Sequence, residues 1–117
     1  MRKTAELFRA LGDETRLRML WLLMNHVELC VCDFIEVLEI TQSKASRHLR
    51  NLYHAGLVED RRDGLWNYYS LKTKEEMDKR AVLQVLRRLL ASRGDAHTLL
   101  ASLDGWLERK ERSSSCG

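Results

Sequence analysis

Apolar residues recur along most of the chain at intervals of three and four, the period of helices that each bury one side. Ala5, Phe8 and Leu11 predict a short first helix. Asp13 follows Gly12 and can cap a second, with Leu17, Leu20, Leu23 and Met24 facing inward. Residues 30–38 read as a third helix, with Phe34, Ile35 and Leu38 apolar. Thr41 or Ser43 can cap a fourth, whose stripe is Ala45, Leu49 and Leu52 and which Gly56 ends after His54. The pattern then changes. Residues 57–61 and 65–71 read as two strands around Arg62-Asp63-Gly64, and Asp-Gly is a strong hairpin signal. Trp66, Tyr68 and Tyr69 give the second strand its strand-forming aromatics. Helical spacing returns after Thr73 and Glu76, which fit a capping box, with Val82, Val85, Leu86 and Leu89 on one face. Arg93-Gly94-Asp95 breaks that helix, and Asp95 can cap a last one carrying Ala96, Leu99, Leu100, Leu103 and Leu107. The predicted order is ααααββαα, mainly α with a two-stranded hairpin, in the α+β class.

Composition narrows this picture. The 117 residues suit one domain, expected over residues 1–112 with a flexible tail at 113–117. A hydrophobic content of 44% suffices for a core. No apolar run approaches the roughly 18 residues of a membrane helix, so no membrane partner is expected. The first residues lack the apolar stretch of a secretion signal, which makes the cytoplasm the expected location. Of the three cysteines, Cys30 and Cys32 are too close in sequence to bridge without strain. An odd number of thiols in a reducing compartment suits ligands better than a disulfide framework.

The net charge of +3 says little, but its distribution says more. Residues 28–39 hold Glu28, Asp33, Glu36 and Glu39 and no base, whereas residues 43–57 hold Lys44, Arg47 and Arg50 and no acid. Residues 30–55 have the proportions of a helix-turn-helix, and the hairpin after it would form a wing. Positive charge therefore gathers where a recognition helix meets phosphate in double-stranded DNA. Gln42, Ser43, Lys44, Ser46 and Arg47 lie near the helix N-terminus, the end that reads base edges. His48 and Arg50 follow as phosphate contacts, and Arg61 and Arg62 stand at the hairpin tip. No redox Cys-x-x-Cys in a βαβ setting, glycine-rich phosphate loop or zinc-protease motif occurs, which argues against an enzyme.

Three segments carry a family resemblance. Glu28-Leu29-Cys30-Val31-Cys32-Asp33-Phe34 resembles the cysteine box of the ArsR/SmtB family of metal-sensing repressors. Residues 42–49 with Ala55-Gly56-Leu57-Val58 resemble its recognition helix and wing entry, and residues 11–16 resemble the start of its second helix. The resemblance, which covers about residues 5–72, implies a winged-helix homodimer that represses a resistance operon and leaves the DNA when an inducer binds. The apolar faces of the last two helices, Val82, Val85, Leu86 and Leu89 with Leu99, Leu100, Leu103 and Leu107, exceed what a small helix pair buries alone, so dimerisation is expected through about residues 1–11 and 74–110. The implied inducer is trivalent arsenic or antimony on Cys30 and Cys32, with no resident cofactor.

Thiolates are soft ligands and select soft ions. In a regular helix, residues two apart point to nearly opposite sides, so Cys30 and Cys32 are expected to share an ion only if the start of the third helix unwinds or bends. Arsenic-sensing relatives often place a third cysteine where this chain has Ile35, and cadmium- and lead-sensing relatives add N-terminal cysteines that are absent before Cys30. A four-sulfur site cannot come from one chain. Cys116 or a small cellular thiol remains as a third donor. Relatives with zinc on the helix after the wing use positions that correspond to Thr73, Glu75, Leu86 and Leu89, which cannot form that site. Asp95 and His97 keep the spacing, with Glu108 and Glu111 farther on, but Asp95 is expected to act as a cap. A thiol-based redox or persulfide sensor on the same fold, and a sensor of cadmium or lead, stay open as alternatives. A metal carrier would explain the thiols but leave the recognition helix without a purpose.

Overall fold

The structure, a computed structural model, describes residues 1–72 and 76–113. Among the described residues, six helices and three short strands follow in the order α1 (Arg2–Leu11), α2 (Glu14–Met24), β1 (Leu29–Cys30), α3 (Val31–Leu38), α4 (Gln42–His54), β2 (Val58–Asp63), β3 (Trp66–Leu71), α5 (Met77–Ala91) and α6 (Gly94–Ser113). This is an α+β winged-helix fold, but the expected two-stranded hairpin is a three-stranded antiparallel sheet in the order β1-β3-β2. β1 lies across the wing, with Leu29 opposite Tyr69 and Cys30 opposite Tyr68. The hairpin register runs from Val58 opposite Leu71 to Asp63 opposite Trp66. Its turn places Gly64 at a φ of 63°, where a side chain would be strained.

Local chemistry sets most of the boundaries. The Asp13 side chain accepts the Arg16 N–H at 3.0 Å and starts α2. Thr41, rather than Ser43, caps α4 by accepting the Lys44 N–H at 3.2 Å. Gly56, at a φ of 77°, turns the chain out of α4 into the wing. α3 ends on Glu39 in the left-handed region, which bends the chain sharply toward α4. Two expected caps differ. Glu76 itself precedes α5 with no side-chain cap bond, while Thr73 lies outside the described residues. Asp95 sits inside the first turn of α6, which begins at Gly94, and pairs with Arg93 at 3.1 Å.

The core sits between α2, α3, α4 and the sheet, with Leu20, Leu22, Phe34, Leu49, Leu52 and Leu57 fully enclosed. Each such side chain contributes roughly 1.5–3 kcal/mol when buried. α6 closes this core from the side, packing on α2 and α3 with Leu103 enclosed. The Trp21 indole N–H donates to the Ala96 carbonyl at 2.9 Å and pins α2 to α6. Arg87 donates to the Met24 carbonyl at 2.9 Å and pins α5 to the end of α2. The inner residues of α1 are Leu7 and Ala10, whereas Phe8, expected inside, is 57% exposed. On α5 the buried residues are Leu83 and Leu86, while Val85 and Leu89 are 53% and 63% exposed. None of the described helices is long and apolar enough to cross a membrane.

Candidate functional site

Two groups of residues stand out: a basic helix with its wing, and a pair of cysteines behind it. In α4, Ala45, Leu49 and Leu52 face the core, which leaves Gln42, Ser43, Lys44, Arg47 and Arg50 exposed on the opposite side. Ser46 is half-buried. The outward row presents three cations from the helix N-terminus onward, the geometry of a helix that enters a major groove.

His48 departs from its expected phosphate contact. Its ring is turned inward, where Nδ1 accepts a hydrogen bond from the Arg16 guanidinium at 3.1 Å and lies 3.9 Å from the Asp13 carboxylate. Burial pulls the His48 pKa below its ordinary value. Asp13 opposes this, and the cations of Arg16, Arg47 and Lys44 add to it. Arg16 also donates to the Ala10 carbonyl at 2.7 Å and the Arg9 carbonyl at 3.2 Å, so it closes the end of α1 while holding α4.

The wing arginines also differ from one another. Arg61 grips Glu28 with two hydrogen bonds, at 2.6 and 3.2 Å, and lies over the Tyr68 ring at 4.8 Å. That bond holds the Glu28 carboxyl below its usual range. Arg61 is thus a tie between the wing and the residue before β1, and Arg62 is exposed at the wing.

Cys30 and Cys32 meet at the corner where β1 becomes α3. Cys30 is extended, with φ −79° and ψ 154°, and is the residue before the helix rather than part of it. Cys32 stands in the first turn. The corner brings the two Sγ atoms to 2.9 Å, so the sulfurs converge without the unwinding expected of a regular helix. Cys30 is buried, and that burial raises its thiol pKa; the nearby Asp33 carboxylate raises it too, while hydrogen bonds from the backbone and the Lys110 charge pull the other way.

Asp33 is the residue that sequence reasoning passed over. Its carboxylate is 2% exposed and fully engaged. One oxygen accepts the Cys30 N–H at 2.8 Å, and the other accepts the Trp106 indole N–H and the Lys110 ammonium, each at 2.9 Å. The Cys32 Sγ lies 4.0 Å from the second oxygen. An acid in the first turn of a helix after a candidate cap was the available signal, but its α6 partners follow no local pattern.

Among the described residues, no three His, Cys, Asp or Glu side chains come together as metal ligands. The weighed zinc set does not converge: Asp95 pairs with Arg93, and the His97 ring contacts the Ala91 carbonyl at 2.6 Å. Cys116 lies outside the described residues.

Comparison with known proteins agrees with this arrangement. Residues 13–60 match the family model described as bacterial regulatory protein, arsR family. An arsenic resistance transcriptional regulator of Pseudomonas putida, ArsR1, is 50% identical over 64 residues, covering 55% of this chain and 50% of that relative. The chain thus spans about half the length of that curated relative. A second P. putida arsenic resistance regulator, ArsR2, is 37% identical over 112 residues, covering 95% of each chain. The solution structure of a homodimeric winged helix-turn-helix DNA-binding domain from Mycobacterium bovis superposes with a TM-score of 0.65, at 26% identity over 80% of this chain and 82% of that one. A basic α4 and a wing, on a chain that aligns with ArsR2 from end to end, place this protein in the ArsR family of winged helix-turn-helix transcriptional regulators, a family of regulators and not of enzymes.

Proposed function

We propose that this chain is an arsenite- or antimonite-responsive repressor that binds operator DNA as a homodimer and is released when the metalloid bonds to Cys30 and Cys32. The observation that carries the reading is the 2.9 Å approach of the two sulfurs at a corner joined to both DNA-binding elements. α3 packs on α4, and β1 is paired with wing strand β3.

The chemistry is a condensation. Each thiol sulfur bonds to arsenic and displaces one hydroxide of arsenous acid, which takes the thiol proton and leaves as water. Two such steps release two waters, and arsenic stays trivalent. Soft sulfur is favoured over oxygen as the partner.

Release follows from the placement of the two cysteines. Cys30 is carried by β1, which pairs with wing strand β3, and Cys32 by α3, which packs on α4. The inducer gains affinity in whichever arrangement of α3 and the wing suits an atom bonded to both, and DNA prefers the other; that difference is the coupling.

The test is a release titration of labelled operator DNA with arsenite, antimonite, cadmium and peroxide. Cys30→Ser and Cys32→Ser are expected to bind DNA but to need at least about tenfold more arsenite, since a serine oxygen is a hard donor. Cys116→Ser is expected to shift the midpoint little, because a small cellular thiol can supply a third soft donor. Wild-type release by arsenite at concentrations that also release Cys30→Ser would overturn the reading. So would release by peroxide or cadmium with no response to arsenite.

A further inference from the structure

Arg61 and Arg62 are neighbours at the wing, and alternation along a strand sends them to opposite faces. Arg62 shares its face with Val58 and, across the hairpin, with Tyr69 and Leu71, which pack on the core. β2 touches α4, and the Tyr69 hydroxyl feels the positive charges of both Arg50 and Arg62. Arg61 leaves from the other face. It lies over the Tyr68 ring of β3 and takes hold of Glu28, the residue before β1, with two hydrogen bonds. One side chain thus spans the sheet from β2 to the start of β1. We infer that Arg61 is a positioning residue and not a phosphate contact: clasped by Glu28, it straps the wing to β1 and so holds Arg62 toward DNA beside α4.

The need for a strap follows from how little else holds the wing. Beyond Val58 every residue of β2 is exposed, so no buried side chain anchors its outer part. A two-stranded hairpin alone is marginal in water, and a third strand is what steadies it. Here that strand is two residues long and is joined to β3 through Leu29 and Cys30. Arg61 and Glu28 add a charge-assisted, two-point bond just outside this short ladder. The Tyr68 ring beneath the guanidinium favours the planar cation, a role that lysine fills poorly.

Charge supports the same division of labour. β2 carries Glu59, Asp60 and Asp63 against Arg61 and Arg62. Asp63 lies 3.8 Å from the Arg61 guanidinium and Glu28 2.6 Å from it, so two carboxylates already answer that cation. To meet a phosphate, Arg61 would have to exchange these partners for a third. Arg62 is exposed on the face where α4 presents Arg50.

The inference rests on the DNA-binding part of the function proposed above and not on its inducer. The probe is a fluorescein-labelled duplex selected from a random-sequence pool by the wild-type full chain, and anisotropy across a salt series gives both the affinity and its salt slope. A loosened wing adds an ordering cost to binding but leaves the phosphate contacts to be made. Arg61→Met and Glu28→Gln are therefore each expected to weaken binding about fivefold with an unchanged slope. Arg62→Met is expected to weaken binding and to lower the slope by about 1. Glu28→Gln decides by its sign. It removes a negative charge, so electrostatics alone would tighten binding to a polyanion, whereas loss of a strap weakens it. Combining Glu28→Arg with Arg61→Glu rebuilds the pair in reverse. This double variant is expected to recover most of the affinity lost in Arg61→Glu alone, which a misfolded wing could not do.

Tighter or unchanged binding by Glu28→Gln, or a slope that falls by about 1 in Arg61→Met, would overturn the inference. Variants that behave as expected in a protein that arsenite does not release from the duplex would support the inference and overturn the metalloid function.

Discussion

His48 lies in α4 with its ring turned away from the exposed face, and its protonation state matters to the fold. The Arg16 guanidinium can only donate, so the bond at Nδ1 requires that nitrogen to be without a proton. Charging the ring would break the bond and set two cations face to face. The folded pKa is therefore depressed, chiefly by burial. A depressed value means that the stabilising contribution is present above the unfolded value of 6.5 and is lost as the pH falls through the folded value. Urea midpoints measured below pH 6.5 are expected to fall more steeply for the wild type than for His48→Gln, which cannot charge. Sequence placed His48 in the right helix but on the wrong side, because its neighbours Asp13 and Arg16 are 32 or more residues away. Asp33 was hidden for the same reason, with α6 partners 73 and 77 residues on.

Among the elements, α4 was the most legible. Its stripe of Ala45, Leu49 and Leu52, its Thr41 cap and its Gly56 exit were all written locally. Its exposed cations give a direct expectation. Lys44→Ala and Arg47→Ala should each weaken operator binding, and each should reduce the slope of log affinity against log salt by about 1 for a lost phosphate contact. Fluorescence anisotropy across a salt series measures both quantities, and unchanged slopes would place the DNA elsewhere. By contrast, β1 was illegible. A strand of two residues has no alternation to read, and its apolar Leu29 merged into the helical pattern that follows. That omission also hid the convergence of the thiols, since the expectation of opposed side chains held only if Cys30 belonged to the helix.

At the scale of the molecule, sequence foresaw a surplus of apolar residues on the last helices but not how it is divided. α6 spends its apolar side inside the protomer, on α2 and α3. Large apolar residues left exposed include Val85 and Leu89 on α5 and Phe8 on α1. Exposed large apolar residues at such positions suit a second copy of the chain, and the M. bovis structural neighbour is homodimeric. Leu89→Glu is expected to raise the dimer dissociation constant by about thirtyfold or more, the size of a central interface residue, and to weaken operator binding with it. Sedimentation over a concentration series checks this, and a wild-type monomer at micromolar concentration that still binds operator DNA as one copy would refute it.

Arg16 gives such a dimer a further property. One side chain fastens the end of α1 through the Ala10 and Arg9 carbonyls and grips α4 through His48. A helix that could take part in pairing the copies and the basic helix α4 are thereby joined by a short polar rivet. The pair of copies then behaves as a calliper with a fixed gap. It can span two half-sites set about one turn of the double helix apart, and a few inserted base pairs would rotate one half-site out of its reach.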